Sequence, residues 1–160
     1  MRNITFLSSV AFILLSLISL AAFAQEPVSK SYFTDVAIDG QDTVAYHQQK
    51  NDQHEVTEGL SEYTVEWKGA KWRFANEQDS QAFAANPEKY APAYNGFCAN
   101  ALSVGNGLKK TDGTHWQIFD DQLYLFYAKK GRKRWLKGDY KQYKAGADKA
   151  WQDILAEEMK

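Results

Sequence analysis

The sequence predicts an α+β domain made of two similar β-hairpin-plus-helix units, packed together and completed by a C-terminal amphipathic helix. Three observations carry that prediction. Two runs of alternating aromatic and polar residues are each broken by a turn, the period-2 signature of a hairpin with one buried face. Each hairpin is followed by residues that start a helix. Finally, a shift of 52 residues lays Trp67 on Phe119, Trp72 on Tyr124, Phe74 on Phe126 and Phe83 on Trp135 without a gap. Four aromatic coincidences suggest an internal duplication, although any two aromatic hairpins before a helix would align somewhere. Either unit alone is too small to bury a core, so the chain is expected to form one domain.

In chain order, the first segment is of a different kind. Arg2 is followed by an apolar run over residues 10–20, broken only by Ser16 and Ser19, and then by Ala22-Phe23-Ala24 ahead of Gln25. A positive start, an apolar stretch and a small-x-small site read as a secretory signal peptide over 1–24, cleaved between Ala24 and Gln25. The competing reading is an uncleaved membrane anchor, since residues 4–24 are just long enough to span a bilayer. Residues 25–32 are polar with Pro27 and read as a flexible arm. The domain is expected over 33–157. Residues 33–46 read as short extended pieces around the Asp39-Gly40 turn, and 47–61 as a polar surface loop.

The first hairpin follows. Tyr63, Val65 and Trp67 alternate with Thr64, Glu66 and Lys68, Gly69-Ala70 turns the chain, and Trp72 and Phe74 alternate with Lys71 and Arg73. Asn76 is placed to cap a helix that carries Glu77 and Asp79 in its first turn and points Phe83 back at the hairpin. Asn86-Pro87 interrupts that helix and starts a short turn through Tyr90. The second hairpin runs over 116–119 and 123–127 about Asp120-Asp121. A basic helix then passes through Trp135 and ends at Gly138. Asp139 with Gln142 is a capping-box pattern for the last helix, whose inner stripe is Tyr140, Tyr143, Ala147, Trp151 and Ile154.

Composition narrows the function classes. The 160 residues carry a formal charge of -1 and are 14% aromatic, which excludes disorder and a polyanion-seeking strategy. Removal of 1–24 leaves 136 residues with 18 basic and 20 acidic side chains. The single cysteine, Cys98, excludes an internal disulfide and an all-thiolate metal site.

The motifs Asp35-Val36-Ala37-Ile38-Asp39-Gly40, Val44-Ala45-Tyr46, Asn86-Pro87-Glu88-Lys89-Tyr90, Tyr94-Asn95-Gly96-Phe97-Cys98-Ala99 and Lys133-Arg134-Trp135, in that order, resemble the YHS domain family in its exported bacterial form. The resemblance covers most of residues 33–151. It implies a small non-enzymatic binding module of the periplasm or cell exterior, in a family associated with copper and other heavy metals. Metal-linked members carry cysteines around the second hairpin strand and the helix start. The matching stretch here, Phe74-Ala75-Asn76-Glu77-Gln78-Asp79, has none.

The residues themselves offer few chemical candidates. A lone thiol in an oxidising compartment is buried, metal-bound, catalytic or paired with another molecule. The apolar neighbours of Cys98 favour burial over a soft-metal ligand, and both over a redox or nucleophilic thiol. His47 follows the Val44-Ala45-Tyr46 motif and is the candidate helper. Cys98 with His47 is an incomplete set for zinc, whereas copper(I) accepts two soft ligands. His54 is expected in the exposed loop. The basic run of the expected helix through Trp135 reads as a solvated face anchored by Trp135, or as a docking face for an envelope protein through Lys130, Arg132 and Arg134. Export argues against a nucleic-acid partner. Val104-Gly105-Asn106-Gly107-Leu108 ahead of Lys109-Lys110 reads as a turn rather than a phosphate loop. The sequence leans away from an enzyme, with a Cys98-dependent activity as the remaining enzymatic reading.

Overall fold

The computed structural model describes residues 25–49 and 54–158, so the signal-peptide reading of 1–24 lies outside the described residues. Helices and two antiparallel hairpins make up an α+β fold. A 3-10 turn at Ile38–Gly40 leads into α1 (Thr43–Gln48). The first hairpin, β1 (Leu60–Trp67) with β2 (Ala70–Phe74), precedes α2 (Glu77–Ala85) and α3 (Pro87–Tyr90). A second 3-10 turn at Ala93–Gly96 leads into α4 (Ala99–Ser103). The second hairpin, β3 (His115–Phe119) with β4 (Gln122–Phe126), precedes α5 (Lys129–Lys137) and α6 (Tyr140–Glu158). The two hairpins form separate two-stranded sheets. No helix among the described residues is long and apolar enough to cross a membrane.

The duplication is deeper than its aromatics. In β1–β2, Trp67 pairs with Ala70, Glu66 with Lys71, Val65 with Trp72 and Thr64 with Arg73. The shift of 52 carries these pairs onto Phe119 with Gln122, Ile118 with Leu123, Gln117 with Tyr124 and Trp116 with Leu125. Both turns are two-residue loops with left-handed backbone, φ 49° and 66° at Lys68-Gly69 and 48° and 62° at Asp120-Asp121. The same shift maps α2 onto α5 end to end. Upstream the offset is 56 residues. Ile38, Asp39 and Gly40 have φ of 43°, 53° and 82°, and Tyr94, Asn95 and Gly96 repeat them at 56°, 48° and 87°. After each such turn a side chain caps a short helix, Asp42 for α1 and Cys98 for α4.

The first repeat corrects the expectation of extended pieces over 33–46. The Asp42 carboxylate accepts hydrogen bonds from the Val44 and Ala45 N–H groups at 2.9 and 3.0 Å, which starts a helix where alternation suggested strands. That helix also takes His47 and Gln48 out of the expected loop, and β1 takes Leu60 and Ser61. The arm over 25–32 is not loose. Val28 and Ser29 are buried, and Ser29 bonds to Asn95, Ile38 and Thr111, tying the two 3-10 turns to the start of the second hairpin.

Two aromatic clusters form the core. One gathers Trp72, Phe74 and Phe83, the other Tyr124, Phe126 and Trp135. Strand β4 is the seam between them. Leu123 and Leu125 enter the first cluster, and Tyr124 and Phe126 on the opposite face enter the second. Burial on both faces of one strand makes the two units a single domain. The α6 stripe completes the second cluster through Tyr140, Tyr143, Ala147, Trp151 and Ile154.

Candidate functional site

Cys98 caps α4 with its sulfur, which accepts from the Ala101 N–H at 3.4 Å, and its own N–H donates to the Lys109 carbonyl at 2.8 Å. The residue is 3% exposed. Beside it lies a cavity of about 570 Å³ between α4, the end of β4 and the start of α5. Asn100, Asn106, Lys109, Tyr127, Ala128, Lys130, Gly131 and Arg134 complete its lining with Ala101. Three cations and, among the described residues, no carboxylate therefore face it. The Arg134 guanidinium donates to the Asn100 side-chain oxygen and the Ser103 hydroxyl, each at 3.0 Å, and stacks 3.6 Å over the Tyr143 ring. Lys109 sits 4.1 Å over Tyr127.

His47 is elsewhere. It lines a separate cavity of about 530 Å³ with Gln48, Asp79, Lys89, Tyr90 and Asp121, which shares no lining residue with the first. Its ring meets Tyr90 edge-on at 5.5 Å, and its Nε2 is buried without a partner among the described residues. Burial, and then the charge of Lys89, hold its pKa below the usual imidazole value against the opposite pull of Asp121. The expected Cys98–His47 metal pair is thus not assembled, because α1 and α4 are counterparts in different halves rather than neighbours on one site. Among the described residues, no group of three or more His, Cys, Asp or Glu side chains is placed to hold a metal ion.

The two cavities are counterparts. The repeat carries Val44 onto Asn100, Gln78 onto Lys130, Asp79 onto Gly131 and Ala82 onto Arg134, and each pair lines its own cavity. Around the start of α2, several polar groups of the first half bond one another. Asp79 accepts from Gln48 at 2.7 Å and Asn76 at 3.0 Å, its N–H donates to the Asn76 side-chain oxygen at 2.9 Å, and the Ala75 N–H donates to Asp42 at 2.8 Å. Burial pushes the Asp42 pKa up to about 6, opposed by the N–H groups of Ala75 and Ala45 and reinforced by nearby Asp79.

The basic helix does not present the expected docking triplet. Lys130 and Arg134 line the Cys98 cavity, four residues apart on one face, whereas Arg132 turns to the Gln117 side-chain oxygen on β3 at 3.3 Å. His54 is half-buried rather than exposed, bonded to Gln117 at 2.8 Å and tilted on Trp116. Asn100, Tyr127 and Gly131 were not candidates from sequence. Their signal was the repeat itself, read at Asp79 and Gly131 instead of at the aromatics. No protein-family model, curated protein or solved structure matches the chain.

Proposed function

We propose that the mature chain is an exported, non-enzymatic YHS-like module that binds a small molecule in the cavity beside Cys98. The observation that supports this most is the cavity itself, whose volume lies in the range of small-ligand sites and whose apolar wall carries a few convergent polar groups. Copper held by Cys98 and His47 is the weaker form of the proposal, since the two residues line different cavities. The Cys98 sulfur acts here as a helix cap and a soft wall, and no base stands within hydrogen-bond reach of it among its bonded partners.

A thermal-shift panel tests this reading. It would set organic anions, organic ammonium ions, neutral polyols and copper(I) against the protein and against Ala128→Trp, which places an indole at the cavity mouth. At least one organic class is expected to raise the melting temperature of the parent and not of the variant. No response to any class, or an equal response in both proteins, would overturn it.

A further inference from the structure

The two halves set one backbone frame around opposite chemistry, and the contrast points to the ligand. In the first half, the start of α2 is closed by its own side chains, with Asn76 capping the helix and the Asp79 carboxylate held between Asn76 and Gln48. In the second half the counterpart of Asn76 is Ala128, that of Asp79 is Gly131, and that of Asp42 is Cys98. The backbone is preserved through these replacements: φ and ψ are -153° and 169° at Asn76, and -150° and 155° at Ala128. Only the oxygen atoms are gone. Among the described residues, no side chain caps α5, and the space released is a cavity faced by Lys109, Lys130 and Arg134 with no acid to balance them.

We propose that this cavity binds a small organic carboxylate, whose oxygens take the place that the Asp79 carboxylate holds in the first half. This deepens the cavity reading above and rests on it. The ligand carboxylate sits before the first turn of α5, where the helix dipole favours an anion and the Lys129 and Lys130 N–H groups face it, the Gly131 N–H being donated to the Ala128 carbonyl at 3.0 Å. Arg134 and Lys130 supply the counter-charge, with Arg134 held in place by Asn100 and Ser103. The Tyr127 ring and Ala101 offer apolar surface to the body of the ligand.

Calorimetric titration of the folded protein with benzoate, benzamide and benzylammonium tests the assignment, at low salt so that screening does not mask the charge. Benzoate is expected to bind at least roughly tenfold more tightly than benzamide, the difference of one charge-assisted hydrogen bond or more. Ala128→Asn reproduces the Asn76 cap and is expected to weaken benzoate roughly tenfold by filling the space before the first turn of α5. Arg134→Gln is expected to weaken it similarly. Because the new cap strengthens the fold, a loss of binding in Ala128→Asn is not a loss of structure. Benzamide binding as well as benzoate, or benzoate binding indifferent to both substitutions, would overturn the proposal while leaving the cavity reading intact. Absence of binding by all three probes would count against both.

Discussion

Phe83 on α2 and Trp135 on α5, 52 residues apart, are each fully buried against three aromatic rings of their own hairpin at similar centroid distances but different ring orientations, and Trp135 also meets Tyr143 on α6. Phe83 lies 5.9, 5.5 and 4.9 Å from Trp67, Trp72 and Phe74, and Trp135 lies 6.0, 5.4 and 5.5 Å from Phe119, Tyr124 and Phe126. Each ring pins its helix across its own hairpin. Phe83→Ala and Trp135→Ala should each cost about 3–5 kcal/mol of unfolding free energy, measured by denaturant titration. Trp135→Phe should cost much less than Trp135→Ala, since phenylalanine serves in the first half and the Trp135 N–H is buried without a partner among the described residues. Equal losses for the two Trp135 variants would contradict this.

A missing cap is a prediction of opposite sign. Ala128 holds the N-cap backbone of α5 without an acceptor side chain. Ala128→Asn should stabilise the protein by about 1 kcal/mol. A rise of roughly 4 °C in the melting temperature would follow.

Asp42 makes stability depend on pH. Its carboxyl is raised to about 6 in the fold against 3.8 for a free aspartate, chiefly by burial. Between those values the fold keeps a proton that the unfolded chain has lost. The stability Asp42 contributes is therefore full below about pH 4 and falls as pH rises to about 6, by about 2–3 kcal/mol. His47 acts in the opposite sense, since its lowered pKa gives stability that is lost as pH falls below 6.5. The difference between the parent and Asp42→Asn isolates the first effect. Relative to the parent, the variant should gain stability as the pH goes from 4 to 7, measured by urea unfolding at each pH.

Cys98 caps α4 through its sulfur. Serine also caps helices, so Cys98→Ser should fold with a melting temperature within a few degrees of the parent. Copper bound per reduced chain should be the same for both proteins, by elemental analysis after desalting. Copper lost with the thiol would restore the metal reading.

Much of the fold was legible because its signals are local. Alternating aromatics gave both hairpins, and Asn76, Asn86 and Asp139 gave helix starts that the structure places with the same caps. The helices α1 and α4 were not legible, because each is set by one cap and a left-handed turn rather than by an apolar period. The arm was misread since its polar composition hides that Ser29 bonds to three distant segments. As for the site, Cys98, Lys130 and Arg134 were picked out singly from sequence, but their convergence is a property of how α4 meets α5. The choice of His47 as partner for Cys98 failed because motif order along the chain does not reveal which half a residue serves.

In the proposed binding mode, the second half takes from a ligand the carboxylate that the first half supplies from Asp79. Amide spectra of the labelled protein titrated with benzoate test it with an internal control. The Tyr127 and Gly131 amides should shift together with a single dissociation constant, while their counterparts Ala75 and Asp79, whose N–H groups are held by the Asp42 and Asn76 side chains, stay still. Equal shifts in both sets, or shifts in neither, would contradict it.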